Sequence, residues 1–341
     1  MKKPHITIHD IAKELNISAS TVSRALNNNP RISEATRDAV QQLASSYNYQ
    51  PNVMASSLRK GESKTVGVIV PRINRNFFSN VIGGMEETLA AAGYHLIICQ
   101  SHEMLKNEEA AVKTLIHARV DAILISVSME TRTPDHLTLL REKNIRLLFF
   151  DRKCDLIQAG SAGVNDLLGA YLNVKHLIDM GYRKIFHIAG PDHINIYRAR
   201  KEGYIKAMAE AGIDIGRDWI LDLPMVLSGG EAAFHRSMQL TEKPDAFFCS
   251  GDYAALGVFQ AAKKRGLKIP DELGITGFGN EPFTEFLEPS LTTVNQQGQK
   301  MGRIVARMFL QNGNNENSEL APERMELEPE LIIRNSSLLK K

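Results

Sequence analysis

The segment SASTVSRALN, residues 18–27, combines helical spacing with a face of small polar side chains. Its outward positions hold Ala19, Ser20, Ser23, Arg24 and Asn27. Hydroxyl, amide and guanidinium groups of this kind form hydrogen bonds with a second surface, and short side chains let that surface approach closely. An ordinary exposed helix carries pairs of acidic and basic residues instead. The residue types therefore predict a binding face.

Three short helices would position this face. Thr7 opens an S/T-x-x-D/E helix start, and apolar residues follow it at three- and four-residue spacing. Ser18 is expected to cap the second helix by accepting a hydrogen bond from the backbone N–H of Ser20 or Thr21. A third helix start follows at Ser33.

A tight turn between the first two of three short helices is the plan of a helix-turn-helix, whose second helix lies in the major groove of DNA. The charge distribution agrees, since residues 1–60 carry a net charge of +4 and the remaining residues a net charge of −2. A basic head suits contact with phosphates. On the helical pattern alone, a three-helix bundle with an incidental polar face remains an alternative.

The next segment, YNYQPNVMASSLRKGES, contains one helical repeat made by Val53, Met54, Ala55 and Leu58. A helix this short needs a partner surface to be stable. Two copies packed over a minor groove, with an apolar wedge entering a base step, would supply one. An interdomain linker with a frayed turn is the alternative.

The patterns DIAKELNISASTVSRALN, YNYQPN and MASSL occur in this order and at matching spacing, and the segment resembles the DNA-binding head and hinge of the LacI/GalR repressor family. The resemblance implies that Ala19 and Ser20 read bases, and that Leu58 intercalates at the operator centre. It also implies that Arg24 supports base or phosphate contact. It places Thr7, Thr21, Ser23 and Asn27 at phosphate-contacting positions. The DNA-binding residues expected in all are Thr7, Ser18, Ala19, Ser20, Thr21, Ser23, Arg24, Asn27, Ala55 and Leu58.

From Thr65 onward, short apolar runs alternate with amphipathic segments. The runs TVGVIV, HLIIC, DAILIS and RLLFF predict buried parallel strands, and KIFHIAG, AFFCS and GITGF predict a second series. Two such series indicate two α/β lobes, each with a doubly wound sheet. Ligands of these sheets bind at the carboxyl ends of the strands, so we expect a site in the cleft between the lobes.

The body resembles the periplasmic-binding-protein-like effector domain of the same family. The resemblance implies that Arg200 grips the effector and that Phe77 and Phe78 wall the ligand or its entrance, although these two also suit a helix-start core. Asp252 follows a strand and begins a helix, where it can cap that helix or accept ligand hydroxyls. The effector-binding residues expected in this way are Phe77, Phe78, Asp151, Arg152, Arg200, Asp252 and Asn280.

Two positions depart from the family pattern. Gly279 stands where many relatives carry an aspartate, which leaves Asn280 and Glu281 as the nearby polar groups, and Gly251 replaces the usual asparagine. The loss of a carboxylate at this end of the cleft means that no familiar relative's ligand can be copied onto this chain. A sugar or sugar derivative is the expectation at family level.

Two other classes of protein fit the sequence less well. An enzyme that uses a nucleotide would need a phosphate-binding loop, but GFGNEP has Pro282 at the third glycine position and no G-x-x-x-x-G-K-[ST] occurs. His187 lies inside a predicted strand and is expected to be a core residue. A secreted solute-binding protein would carry a signal peptide and lack the basic head.

The bulk properties fit a protein of the cytoplasm. The 341 residues are 43% hydrophobic, which suffices for two or three globular units. No apolar run is long enough for a membrane span, and MKKPHITIHD lacks the apolar stretch of a secretory signal. Cys99, Cys154 and Cys249 are far apart in sequence, which predicts buried reduced thiols.

We therefore predict an all-α helix-turn-helix head followed by an α/β body of two doubly wound parallel-sheet lobes. The head is expected over residues 1–50, a hinge helix and linker over 51–64, and the body over 65–341. The first lobe is expected to contain about 65–161 and 291–321, and the second about 162–290 and 322–336. The predicted function is that of a homodimeric repressor that binds a pseudo-palindromic operator under control of a small-molecule effector. We expect no cofactor, no metal, no catalytic residue and no membrane partner.

Overall fold

The computed structural model describes residues 6–49, 63–311 and 323–339. The chain divides into two compact units, Met1–Ser63 and Lys64–Lys341, which we call the head and the body. The predicted hinge residues Ala55 and Leu58 lie outside the described residues.

The head contains three helices, α1 (Ile8–Glu14), α2 (Ala19–Leu26) and α3 (Glu34–Ser46). Its core is formed by almost fully buried side chains, namely Ile11, Val22, Ala25, Val40 and Ala44. Asn16, in the turn between α1 and α2, has a φ of 49°, a left-handed conformation that asparagine adopts more readily than most residues. The predicted helix-turn-helix fold is confirmed.

Each helix of the head begins with a hydroxyl side chain. The N–H and the hydroxyl of Thr7 both donate to the Asp10 carboxylate, at 2.8 and 2.7 Å. Ser18 Oγ accepts the Thr21 N–H at 3.1 Å, and Ser33 caps α3 in the same way at 3.3 Å. The three predicted helix starts are therefore confirmed, and each satisfies backbone N–H groups that lack a partner within the helix.

The first lobe of the body is a six-stranded parallel sheet. Its strands in spatial order are β11 (Arg324–Leu327), β5 (Gly160–Val164), β4 (Arg146–Phe150), β3 (Ala122–Ile125), β1 (Thr65–Val70) and β2 (His95–Gln100). One face is covered by α4 (Asn76–Ala91) and α12 (Gly298–Gln311), and the other by α5 (Leu105–His117) and α6 (Asp135–Glu142). Both faces are buried, which explains the near-continuous apolar runs in the central strands.

The second lobe has a four-stranded parallel sheet and a two-stranded antiparallel ribbon. The parallel strands in spatial order are β7 (Ile220–Asp222), β6 (Ile185–Ala189), β8 (Ala246–Cys249) and β9 (Gly274–Thr276). Helices α7 (Asp166–Met180) and α8 (Asn195–Glu210) cover one face, and α9 (Leu227–Ser237) and α10 (Asp252–Lys264) cover the other. The ribbon pairs β10 (Thr293–Asn295) with β12 (Glu330–Ile332), and the short helix α11 (Phe283–Phe286) precedes it.

The chain crosses between the sheets at places that differ from those expected. Strands β5 and β11 belong to the first sheet, although most of β5 and all of β11 fall in ranges expected for the second lobe. Strand β10 pairs with β12 in the second lobe, although it falls in a range expected for the first. The sequence of β5, GSAGV, has too few apolar residues to be recognised as a strand, and three of the four residues of β11 are exposed.

The three cysteines are free thiols, of which Cys154 and Cys249 are buried and Cys99 is half-buried. Burial raises the pKa of all three thiols, which keeps them protonated. Within the described residues, no helix has the length and apolarity needed to cross a membrane.

Candidate functional site

Helix α2 turns a polar face away from the head core. Ser20, Arg24 and Asn27 are exposed, whereas Val22 and Ala25 are fully buried. Ala19 and Ser23 are partly exposed at the margin of the same face. The outward set expected from the sequence is therefore one continuous surface of short side chains and one guanidinium.

Local hydrogen bonds already engage several hydroxyls at the start of α2. Ser18 Oγ lies 2.7 Å from Ser20 Oγ and 2.8 Å from Thr21 Oγ1, in addition to capping the Thr21 N–H. Asn27 Nδ2 donates to the Ser23 carbonyl at 2.7 Å. The three hydroxyls form a cluster that orients the first turn of the helix.

Thr7 is committed to the start of α1. Its N–H and its hydroxyl proton both go to the Asp10 carboxylate, so a DNA phosphate, which can only accept, would have to compete for them. The same two hydrogen bonds from Thr7 lower the pKa of Asp10 and keep the carboxylate charged. The structure thus gives Thr7 a helix-capping role beside its expected phosphate contact.

The body contains a cavity of about 180 Å³ between its two sheets. Residues that follow β1, β4, β8 and β9 line it, so it lies at the carboxyl ends of strands from both lobes. Six residues expected at an effector site form part of its wall, namely Phe77, Phe78, Asp151, Arg152, Arg200 and Asp252. Asn280 does not line the cavity, because its side chain accepts a hydrogen bond from Arg334 at 3.1 Å, and its neighbours Gly279 and Glu281 take that part of the wall.

Arg200 is held in the cavity wall by groups of its own lobe. Its Nε donates to Asp166 Oδ1 at 2.8 Å and its Nη1 to the Ser250 carbonyl at 2.7 Å. Its guanidinium carbon lies 3.7 Å from the centroid of the Phe278 ring. Burial raises the pKa of Asp166 to about 6, with Arg200 acting in the opposite direction.

Asp151 and Arg152 follow β4 and belong to a network that includes a second carboxylate. Arg152 Nη1 donates to Glu103 at 2.8 Å, and Arg152 Nη2 reaches the Tyr197 hydroxyl of the other lobe at 3.5 Å. Ser126 Oγ donates to the Asp151 carboxylate at 3.2 Å, while burial raises the pKa of Asp151. Asp151 has a φ of 59°, the left-handed region that aspartate tolerates at a tight turn.

Buried hydrogen-bonding atoms in this wall lack partners among the described residues. They are Arg152 Nε, Arg200 Nη2 and Ser250 Oγ, and these three residues are 6%, 3% and 1% exposed. Arg200 Nη2 is nevertheless ion-paired with Asp166, at 2.7 Å from Oδ1, and Arg152 Nε lies 3.9 Å from the Asp151 carboxylate, so Ser250 Oγ and Arg152 Nε are the atoms with most capacity left. Since unpaired buried donors are costly, such atoms indicate a place where a ligand supplies the missing acceptors.

Asp252 lines the cavity together with its neighbours Gly251 and Tyr253 and is only 2% exposed. Burial raises its pKa to about 6, while its hydrogen bonds with Thr293 and with the Glu281 backbone oppose that change. The cap residue of α10 is Gly251, and Asp252 is the first residue of the helix. Asp252 is therefore not the cap residue, and its carboxylate bonds within its own lobe while still lining the cavity; its expected contact with ligand hydroxyls stays a prediction.

The glycine at position 279 has a structural reason. Its φ is 136°, and a Cβ atom there would lie 3.3 Å from Asp252 Oδ2. An aspartate at this position would be strained and would bring a second carboxylate against Asp252. Glu281, two residues further on, supplies a carboxylate to the cavity wall instead.

Phe77 and Phe78 serve both the cavity and the core. Their rings meet edge to face at 5.2 Å, and Phe78 packs in the same way on Phe150 at 6.4 Å. Both side chains belong to the apolar core between β1, α4 and α12 and also line the cavity. The core role is therefore confirmed, and contact with a ligand stays a prediction.

Several residues of the wall were not expected from the sequence, including Arg72, Arg75, Glu103, Tyr197, Tyr253 and Gln296. Glu103 comes shortly after the parallel strand β2, so the rule that ligands lie at the carboxyl ends of parallel strands would have found it, whereas Gln296 follows β10 of the antiparallel ribbon, to which the rule does not apply. Tyr197 lies one helical turn before Arg200 on α8, which points both side chains in the same direction.

The lobes contact each other beside the cavity. Asn195 of the second lobe accepts a hydrogen bond from the Lys153 N–H at 3.0 Å and donates to the Asp151 carbonyl at 3.2 Å. Arg198 Nη2 lies 2.7 Å from the Asp155 carboxylate. These contacts join the segment that follows β4 of the first lobe to the start of α8 of the second lobe.

His187 is a core residue, as expected from its place in a strand. It is completely buried, its Nδ1 is 3.0 Å from the Phe248 carbonyl, and its ring stacks on those of Tyr204 and Phe248 at 4.9 and 4.7 Å. Burial lowers its pKa to about 3. The imidazole is therefore neutral at physiological pH.

A helix-turn-helix head joined to a two-lobed body with a ligand-sized cavity at its strand ends defines a DNA-binding regulator that responds to a small molecule. Residues 7–52 match the sequence family of bacterial regulatory proteins of the lacI type. Residues 174–337 match the family of periplasmic binding protein-like domains. The repressor CytR of Escherichia coli K12 is 31% identical over 332 residues, covering 97% of this chain and 96% of CytR. The chain belongs to the LacI family.

Solved structures show the same fold. The lac repressor dimer bound to operator and the anti-inducer ONPF has a TM-score of 0.85 at 22% identity, covering 99% of this chain and 100% of that one. A complex of the transcriptional regulator CelR with cellobiose has a TM-score of 0.74 at 24% identity, covering 97% and 99%. As a member of its family, the protein is a transcriptional repressor that binds operator DNA as a homodimer under the control of a small-molecule effector.

Proposed function

We propose that the effector is a sugar or sugar derivative that binds in the cavity between the two lobes. The observation that carries this proposal is the combination of buried hydrogen-bonding atoms without partners among the described residues, on Arg152 and Ser250, with the Glu281 carboxylate around one small cavity. A polyhydroxylated ligand both donates and accepts hydrogen bonds, so it matches the two kinds of group. The relative CelR was solved with cellobiose, which agrees with this class of ligand.

The size and aromatic lining of the cavity support a small ligand. Its volume of about 180 Å³ is below the ~300–1,000 Å³ of pockets that hold drug-sized molecules. Phe77, Phe78, Tyr197 and Phe278 give it apolar walls. These walls suit the apolar faces of a sugar ring, and the charged groups suit its hydroxyls.

The DNA-binding role is proposed for the outward face of α2. Arg24 would donate to a guanine or a phosphate, Ser20 would bond several bases, and Ala19 would contact a thymine methyl group. Because the side chains are short, direct base recognition would be limited and backbone contacts would supply much of the affinity. The operator would be pseudo-palindromic, matching the twofold symmetry of a dimer.

Effector occupancy would act through a population shift. The effector must bind two arrangements of the lobes with different affinity, and a change in their arrangement would alter the spacing of the paired hinge segments. A 100-fold change in operator affinity corresponds to about 2.7 kcal/mol of coupling free energy. The protein would act in the cytoplasm, where operator DNA is found, and would bind its effector without transforming it.

The proposal is tested by a thermal-shift screen of the full chain against D-ribose, D-glucose, cellobiose, cytosine and hypoxanthine. We expect a sugar to raise the melting temperature of the wild-type protein, because a ligand that binds the folded state stabilises it. The control is the double variant Arg200→Gln and Asp166→Asn, which removes both members of a buried ion pair and leaves no isolated charge.

The double variant should lose the response to the sugar while its affinity for operator DNA stays near that of the wild type. A double variant that responds like the wild type would remove Arg200 from the site. A response to cytosine or hypoxanthine, and to none of the sugars, would contradict the proposed ligand class.

A further inference from the structure

Two consecutive residues of the first lobe contact the second lobe at one end of the cavity. The guanidinium carbon of Arg75 lies 3.5 Å from the centroid of the Tyr253 ring. The N–H of Asn76 donates to Glu281 Oε2 at 3.4 Å. Arg75, Tyr253 and Glu281 all line the cavity, so a ligand at this end meets the groups that join the lobes.

Asp252, the other carboxylate at this end, is occupied within its own lobe. Its Oδ1 accepts the Thr293 hydroxyl at 2.6 Å, and its Oδ2 accepts the Glu281 N–H at 2.8 Å. A Cβ atom at Gly277 would fall 2.1 Å from Oδ1, which shows how closely the backbone packs on this carboxylate. Asp252 therefore fixes the backbone that presents Glu281.

The rest of this turn is equally well fixed. The Gly279 N–H donates to the Val294 carbonyl at 2.8 Å, and the Asn280 N–H donates to Thr293 Oγ1 at 3.2 Å. Every residue from 279 to 281 thus has its N–H bonded to another part of the second lobe. The Glu281 side chain extends from a rigid support.

The Glu281 carboxylate itself is under-satisfied. It belongs to a residue that is 8% exposed, and within the described residues its side chain accepts one hydrogen bond, the long one from Asn76. A carboxylate offers about four acceptor positions, so several remain for a ligand. Burial raises the pKa of Glu281, as expected for a carboxylate that has few partners.

The partner of Glu281 is the first residue of a long helix. Helix α4 has 16 residues, and its cap residue Arg75 makes no side-chain hydrogen bond to the helix start. A carboxylate at that position is favoured by the unpaired N–H groups and by the helix dipole. Glu281 of the second lobe therefore accepts a hydrogen bond from the amino end of a helix of the first lobe.

We propose that Glu281, and not Asp252, is the carboxylate that accepts a hydrogen bond from a ligand hydroxyl at this end of the cavity. Asp252 is a positioning residue that holds the Glu281 backbone. Because the same Glu281 carboxylate contacts α4, a ligand that bonds to it favours the arrangement in which the lobes are in contact. This inference rests on the proposed function, since it requires a ligand with hydroxyl groups in the cavity.

The contact between lobes is tested without ligand, by amide hydrogen exchange of the full chain. The variant Glu281→Gln keeps the shape of the side chain and removes its charge. We expect exchange of the amides of residues 76–80 to become about tenfold faster, since the charge that strengthens the Asn76 hydrogen bond and favours the helix start is removed. The matched control is Glu210→Gln, an exposed carboxylate on α8 that accepts from Tyr171, and it should leave these amides unchanged. Unchanged exchange in Glu281→Gln would overturn the contact.

The hydrogen bond between Glu281 and a ligand hydroxyl is tested by titration calorimetry with D-ribose, D-glucose and cellobiose. We expect Glu281→Gln to weaken binding of the recognised sugar about tenfold, while the amides of residues 279–281 keep wild-type exchange. Asp252→Asn should instead lower the melting temperature and speed exchange of the amides of residues 279–281, as a positioning role requires. Wild-type sugar affinity in Glu281→Gln would overturn the proposal. If none of the three sugars binds the wild-type chain, the proposed ligand class is what fails, and the exchange of residues 76–80 decides the role of Glu281 alone.

Discussion

The buried groups of this protein show how strongly position determines chemistry. His187 lies between two aromatic rings in the second lobe, and burial lowers its pKa to about 3. Asp166 and Asp252 are also buried, and the pKa of each is raised to about 6. In each case the neutral form is favoured because a buried charge loses its hydration.

His187 gives a pH dependence with a definite sign. Between pH 6.5 and about 3 the unfolded chain binds a proton at this position and the folded chain does not, so stability is lost as the pH falls through this range. We expect the wild type to lose about 2 kcal/mol more than His187→Phe between pH 7 and pH 5. Urea unfolding of both proteins at the two pH values measures this difference. Equal losses would mean that the folded and unfolded chains bind a proton at His187 equally well, which would contradict the lowered pKa.

At the scale of single elements, α2 owes its shape to its first residues. The Ser18 hydroxyl caps the helix and gathers the hydroxyls of Ser20 and Thr21 around it. The face proposed to contact DNA and the cap that starts the helix are therefore one structure. Helix α3 has a similar cap, in which Ser33 lies 2.8 Å from Thr36 Oγ1.

The paired caps allow a matched test. Ser18→Ala and Ser33→Ala should each destabilise the head by about 1 kcal/mol, because each leaves helix N–H groups without their cap. Operator affinity should fall much further in Ser18→Ala, since this variant also releases the hydroxyls of α2. Thermal unfolding and fluorescence anisotropy measure the two effects. Equal loss of operator affinity in both variants would show that the hydroxyls of α2 make no special contribution to DNA binding.

The elements that could be predicted from the sequence are those with a local physical signal. Hydroxyl caps mark the helices of the head, and apolar runs mark the central strands β1, β3, β4, β6 and β8. Strands β5 and β11 were missed because one is rich in glycine and small residues and the other is mostly exposed. Their places are determined by pairing with each other, which is a contact between residues distant in sequence.

The candidate cavity was predictable to a similar degree. Residues directly after apolar runs, such as Asp151 and Asp252, could be placed at the strand ends. The choice between Asn280 and Glu281 could not be made from the sequence, because it depends on Arg334, more than fifty residues away, which binds the Asn280 side chain. Tyr253 and Arg75 come together only when the lobes meet.

At the scale of the whole molecule, two sites belong to two separate compact units of one chain. The α2 face is in the head, and the cavity is in the body. Regulation requires that ligand occupancy in the body changes the free energy of DNA binding by the head, and by linkage DNA must change the affinity for ligand by the same factor. We expect this coupling to arise from the cavity residues of one lobe that contact the other lobe, such as Arg75 and Glu281.

The most direct test is the affinity of the full-length chain for a labelled palindromic duplex selected from a random library, with and without the recognised sugar. Fluorescence anisotropy at salt concentrations from about 50 to 200 mM gives both the salt dependence and the effect of the ligand. We predict binding as a dimer, a steep fall of affinity with salt, and a change of about 100-fold when the sugar is added. A sugar that binds the body and leaves duplex affinity unchanged at every salt concentration would contradict the account.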